Sequence, residues 1–179
     1  MRFLPEIRSR FNISKTPLDL MAFQAYSVSK GMRVGAAGGV IASLVTGLLT
    51  ILGQRSQGQE EFFVTIARNM GLGDMTVTGG WGLHLLTGFI AGAVFLGITA
   101  QVKQLRITNI RKGIAIGLLA GIAIWIVLLV PVTAVFFPEA LSKTDIIVGT
   151  IIGHIIFGIV TASISVVLLR RSVQRQIST

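Results

Sequence analysis

The sequence contains no cysteine, so disulfide staples, thiolate metal centres and cysteine nucleophiles are all excluded. Charge is nearly as scarce: 13% of residues are Asp, Glu, Lys or Arg, and His occurs only twice. This scarcity is patterned. No charged residue lies between Arg33 and Arg55, Asp74 and Lys103, Lys112 and Glu139, or Asp145 and Arg170, gaps of 21, 28, 26 and 24 residues. A helix crosses the hydrocarbon core of a bilayer with about 20 residues. Lipid offers the backbone no hydrogen-bond partner, so such stretches become spanning helices.

Catalytic signatures are missing as well. There is no phosphate loop, no Gly-x-Ser-x-Gly elbow, no His-Glu-x-x-His and no dinucleotide fingerprint. The glycine run from Gly35 to Gly39 opens a basic-flanked apolar helix instead of following a strand, so it is not a nucleotide loop. No carboxylate pair is placed for acid–base work. The expectation is a protein that is not an enzyme and carries neither cofactor nor metal.

What is present defines an all-α polytopic membrane protein of one domain, with a mean hydropathy of +0.78. The expected spans are about 34–53, 80–99, 113–136 and 146–169. They form a four-transmembrane-helix bundle, with a cytoplasmic N-terminal interfacial helix in segment 1–33 and an external amphipathic helix in loop 54–79. Thr16, Pro17 and Asp19 read as the start of the first surface helix. Leu18, Met21, Ala22, Ala25 and Val28 share one of its faces, and it is expected to end before Gly31. In the external loop Phe62, Phe63, Ile66, Ala67 and Met70 recur at helical spacing. Glu60 and Glu61 precede them and Gly71 follows. That helix is expected to lie on the membrane surface, cap the bundle or dock on a partner.

The net charge of +9 is distributed unevenly. Segment 1–33, the connection between the second and third spans, and the tail together hold 13 of the 16 Lys and Arg residues. By the positive-inside rule both termini are cytoplasmic and the protein is multi-pass in the cell membrane. Arg33, Lys103, Arg106, Arg111, Lys112, Arg170 and Arg171 form a collar expected to contact anionic lipid headgroups rather than nucleic acid. A cleavable signal is not indicated, since the first apolar span follows a polar stretch containing Pro5 and Pro17.

Small residues at four-residue spacing mark every span: Gly35/Gly39, Gly88/Gly92, Gly113/Gly117/Gly121 and Gly149/Gly153. Such stripes let helix backbones approach closely, within the bundle or against another integral membrane subunit. The chain also reads as duplicated. Arg33 to Gly39 resembles Arg111 to Gly117, and His84 to Gly88 resembles His154 to Gly158, giving a parallel repeat of helix pairs. His84 and His154 are the only ionisable groups inside the spans. They are therefore the candidate polar or proton-carrying site. A neutral imidazole bonded to a neighbouring helix is the structural alternative. Pro131 is expected to kink or end the third span.

The run from Lys112 to Gly121, then Pro131 and Pro138, then Ile152-Gly153-His154-Ile155-Ile156-Phe157 and the basic end Arg170-Arg171, resembles the YagU family of small bacterial inner-membrane proteins. The likeness spans about residues 84–171, and the first external loop departs from the family's pattern. It implies a small membrane protein, at most an association with acid tolerance, and no defined chemistry. Two functions are expected on these grounds. One is a non-catalytic accessory subunit of a larger membrane complex, such as a membrane-bound copper monooxygenase or a respiratory assembly. The other is a small channel or proton-linked transporter built on His84 and His154.

Overall fold

The computed structural model describes residues 26–177, with side chains through residue 172. Every regular element among the described residues is helical. In chain order they are α1 (Val28–Arg55), α2 (Phe62–Asn69), α3 (Thr76–Gln101), α4 (Ile110–Ile124), α5 (Val130–Phe136) and α6 (Thr144–Ile177). Four segments are long and apolar enough to cross a membrane: α1, Gly73–Gln101, Ile110–Phe136 and Thr144–Ser172. The expected interfacial helix over Leu18, Met21, Ala22 and Ala25 lies outside the described residues. Val28, expected on that surface helix, is instead the first residue of α1.

Helix starts follow side-chain chemistry. Ser27 Oγ accepts from the Lys30 N–H at 3.3 Å and Asn109 Oδ1 accepts from the Lys112 N–H at 2.8 Å, each satisfying a donor that the first turn leaves orphaned. α1 therefore begins before the first charge-free run, and Lys30 and Arg33 ride on its first two turns. The third span is not one uniform helix. Residues Trp125–Leu129 form a π turn between α4 and α5, in which the Val130 N–H reaches Trp125 O five residues back. Pro131, which cannot donate to the helix ladder, follows directly. The perturbation expected from Pro131 therefore takes the form of a widened turn on its N-terminal side. α5 stops at Phe136, before Pro138.

The helices pair as two hairpins, α1 with α3 and α4 with α6, joined by packing of α1 on α6. α3 and α4 lie on the flanks and make no substantial contact with each other. Each hairpin crosses at glycine. A Cβ on Gly39 would overlap the Gly88 carbonyl, and one on Gly35 would overlap the Gly92 carbonyl. In the second hairpin a Cβ on Gly117 would strike Gly158, and one on Gly121 would overlap the His154 carbonyl. Only glycine permits such approach, which yields backbone contact where lipid supplies no hydrophobic drive.

Two apolar clusters close the ends of the bundle. At the end carrying the basic residues, Tyr26, Leu96, Ile107, Ala162 and Val166 form a buried core. At the opposite end Phe62, Ile66 and Ala140 pack with Leu129, Val132 and Phe136. Between α1 and α6 the seam is tight, because a Cβ on Gly38 would sit 3.0 Å from Ser165 Oγ and 3.1 Å from Thr161 O.

Candidate functional site: a cavity between the hairpins

The two hairpins touch along the basic half of the bundle and diverge toward the acidic loops. The space between them is a cavity of about 530 Å³. His84 from α3 and His154 from α6 both line it, so the two intramembrane histidines face one compartment. The remaining wall is mostly aliphatic and aromatic. Hydroxyls and amides of Ser43, Thr46, Thr50, Thr87, Thr150 and Gln54 interrupt it, and Asp145 lies at the end formed by the acidic loops. No Lys or Arg lines it.

α2 roofs the cavity. Phe62, Phe63, Val64, Ile66 and Ala67 are all buried, so this amphipathic helix caps the bundle. Its placement is fixed by polar contacts at both ends. The Phe62 N–H donates to Gln54 Oε1 at 2.6 Å, and Arg55 Nε donates to the buried Glu61 carboxylate at 2.6 Å. Asn69 Nδ2 donates to Phe136 O at 2.6 Å, tying the roof to α5. Arg68 pairs with Glu60. Gly71, with φ +82°, takes the left-handed conformation that ends the helix without a Cβ penalty.

Each histidine is oriented by one backbone carbonyl. His84 Nε2 donates to Ser43 O on α1 at 3.0 Å, while its ring stacks on Phe63 with centroids 4.8 Å apart and meets Trp81 edge-on. His154 Nδ1 donates to Thr150 O on its own helix at 2.8 Å. A carbonyl oxygen only accepts, so the bonded nitrogen carries the hydrogen. In the neutral ring the other nitrogen, His84 Nδ1 or His154 Nε2, is then an acceptor. Neither has a protein hydrogen bond among the described residues, and both rings belong to residues that line the cavity. Thr150 is a relay in the wall: it accepts from Trp125 Nε1 at 3.0 Å and donates to Ile146 O at 2.8 Å. The π turn is thus pinned to α6 beside His154.

Several expected roles change in the folded chain. Gly149 and Gly153, expected to pack against a helix, have nothing within 4 Å of a built Cβ and line the cavity instead. Their flat stripe makes room rather than contact. Gly113 keeps a packing role, since a Cβ there would sit 3.3 Å from Ile107 Cγ2 and 3.4 Å from Val166 Cγ2. Arg106, expected in the headgroup collar, turns inward and donates from Nη2 to Ala100 O at 3.1 Å, capping α3. Arg33, Lys103, Arg111, Arg170 and Arg171 are exposed and Lys112 is half-buried, all at the same end of the bundle. Sequence reading centred on ionisable groups overlooked Ser43, Thr46, Thr87 and Thr150. Their signal was a set of hydroxyls inside the spans, Thr87 and Thr150 beside the histidines and Ser43 and Thr46 in the first span. Among the described residues no three His, Cys, Asp or Glu side chains converge on a metal-sized site.

The class defined by these features is a multi-span helical membrane protein with a polar-studded apolar cavity between two hairpins. Comparison with family models, with characterised proteins and with solved structures found no match.

Proposed function

We propose that this protein is a small membrane transporter or channel that admits a small molecule, or a proton, into the cavity between its hairpins. The shared placement of His84 and His154 on one cavity carries this reading. The volume falls in the range of small-molecule sites, and the pattern of apolar wall with few convergent polar groups is that of a ligand pocket. Below the cavity, Thr161 Oγ1 and Ser165 Oγ are buried without a protein hydrogen bond. They sit on the α1–α6 seam leading toward the basic end. Such unpaired hydroxyls are costly unless something uses them. Under the positive-inside assignment the cavity faces outward and the basic end is cytoplasmic. The parallel likeness of the two hairpins, and the likeness to the YagU family, belong to the same proposal. The second supplies no chemistry.

The accessory-subunit reading keeps one supporting observation. The third span buries the smallest share of its apolar window, 22%, and so presents the broadest face to lipid or to another membrane subunit. The glycine stripes argue less for it, because most are occupied within the hairpins. Native mass spectrometry of protein extracted from its own membranes separates the two. A stoichiometric set of larger subunits would replace the transport reading with the accessory one. A monomer or homo-oligomer whose proteoliposomes show pH-dependent flux, lost in a His84→Phe/His154→Phe double variant, supports the transporter.

A further inference from the structure

We infer that the cavity receives a neutral aromatic molecule bearing a hydroxyl group, of the phenol or hydroquinone class; this rests on the cavity being a binding site. His84 and His154 line the cavity, each spends its ring N–H on a backbone carbonyl, and each keeps an acceptor nitrogen without a protein partner. Thr46 spends its hydroxyl hydrogen on Ala42 O at 3.0 Å, and Thr150 spends its own on Ile146 O. Gln54, whose Oε1 is occupied by the Phe62 N–H, keeps amide hydrogens, but it stands beneath the roof on α1 and not on the histidine helices. The hydroxyls of Ser43, Thr50 and Thr87 can donate or accept, but each neutral histidine has only a lone pair left, so a ligand that engages the histidines must donate.

Charge narrows the class. An anion finds no Lys or Arg in the wall, and burying an unpaired charge in an apolar chamber is prohibitive. A cation finds a single carboxylate, Asp145, away from the histidines at the loop end. A neutral donor is left. The aromatic preference comes from Phe62, Phe63, Phe136 and Phe157, which line the same chamber and offer ring faces and edges for stacking.

The test is a fluorescence titration of the full chain in lipid nanodiscs with 2-naphthol and with 2-methoxynaphthalene, empty nanodiscs serving as reference. The two probes share a ring system, but only the first donates a hydrogen bond. The expected result is about tenfold tighter binding of 2-naphthol, the worth of roughly one such bond. His84→Phe or His154→Phe should shrink that preference, and Gly153→Leu, which fills the chamber, should abolish binding of both. Equal affinity for the two probes on the unmodified protein overturns hydroxyl recognition and leaves the cavity reading standing. Failure of both to bind above the empty nanodiscs overturns both readings. The comparison on the unmodified protein needs no variant to fold.

Discussion

His84 on α3 donates its Nε2–H to the carbonyl oxygen of Ser43 on α1, 3.0 Å away, tying one hairpin together at the wall of the cavity. The imidazole thus has a structural duty alongside any functional one, and the two are separable by size of effect. Interhelical hydrogen bonds in membranes contribute on average about 0.6 kcal/mol. A phenyl ring retains the stacking on Phe63. His84→Phe should therefore lower stability by about 0.5–1 kcal/mol in denaturant titration, while shrinking the preference for hydrogen-bond-donating ligands. A drop of several kcal/mol would make His84 a structural residue first.

Gly39 and Gly153 lie in equally glycine-rich surroundings yet should respond oppositely to alanine. At Gly39 the new Cβ overlaps the backbone oxygen of Gly88, and a backbone cannot rotate away as a side chain can. Gly39→Ala should destabilise by about 1–3 kcal/mol, the range for overpacking a tight interface. At Gly153 nothing lies within 4 Å, so alanine adds no clash and restricts the unfolded chain. Gly153→Ala should be neutral or stabilising by up to about 1 kcal/mol. Equal destabilisation of both would mean that the Gly153 face is packed in the membrane.

That contrast also defines what was legible in the sequence. The four spans were readable because charge-free runs of this length have few alternatives in lipid. α2 was readable because Phe62, Phe63 and Ile66 recur at helical spacing and Gly71 ends the run. Which stripe meets which helix was not readable. Gly149/Gly153 carry the same spacing as Gly35/Gly39, and spacing marks a flat surface without saying whether a backbone or an open chamber lies against it. The inward turn of Arg106 depended on where α3 ends, and the position of the π turn on how Trp125 reaches Thr150. These are tertiary facts. The meeting of His84 and His154 on one cavity likewise follows from α1 and α6 packing centrally, which no local pattern encodes.

The absence of native cysteine gives single introduced thiols no background. Thr46→Cys and Gly153→Cys place the thiol in the cavity wall, whereas Leu119→Cys places it on an apolar surface 62% exposed outside the bundle. A membrane-impermeant maleimide applied to intact cells should label the first two and spare Leu119→Cys, which lipid covers. Lys112→Cys should label only after the membrane is opened, if the basic end is cytoplasmic. Labelling of Lys112→Cys from outside, with the cavity positions silent, would invert the assigned orientation.

Tyr26 stands just before α1 and shares a hydrogen bond with Thr99 Oγ1 at 2.9 Å. Burial raises its pKa above the ordinary tyrosine value, against the smaller lowering effects of the Thr99 bond and the Arg106 charge. A raised folded-state pKa means that the unfolded chain loses this proton first. The associated stability is therefore complete below about pH 10 and declines as pH rises through the folded-state value. Tyr26→Phe should cost about 1 kcal/mol near neutrality and flatten this alkaline decline in unfolding measured across the range. An unchanged alkaline slope would remove Tyr26 as its source.

Thr161 and Ser165 are fully buried on α6, and neither hydroxyl has a protein partner. A group left unsatisfied in this way costs about 1–3 kcal/mol, so the apolar isostere Thr161→Val should raise stability rather than lower it. Under the transport reading the same change should impair flux, because the seam between Gly38 and these residues is the route from the cavity toward the basic end. Stability and flux would then move in opposite directions, an outcome that packing alone does not produce. A stabilised variant with unaltered flux would close this route and leave the cavity as a binding site open from one side. A destabilised variant would show that an ordered water holds the hydroxyl and belongs to the fold.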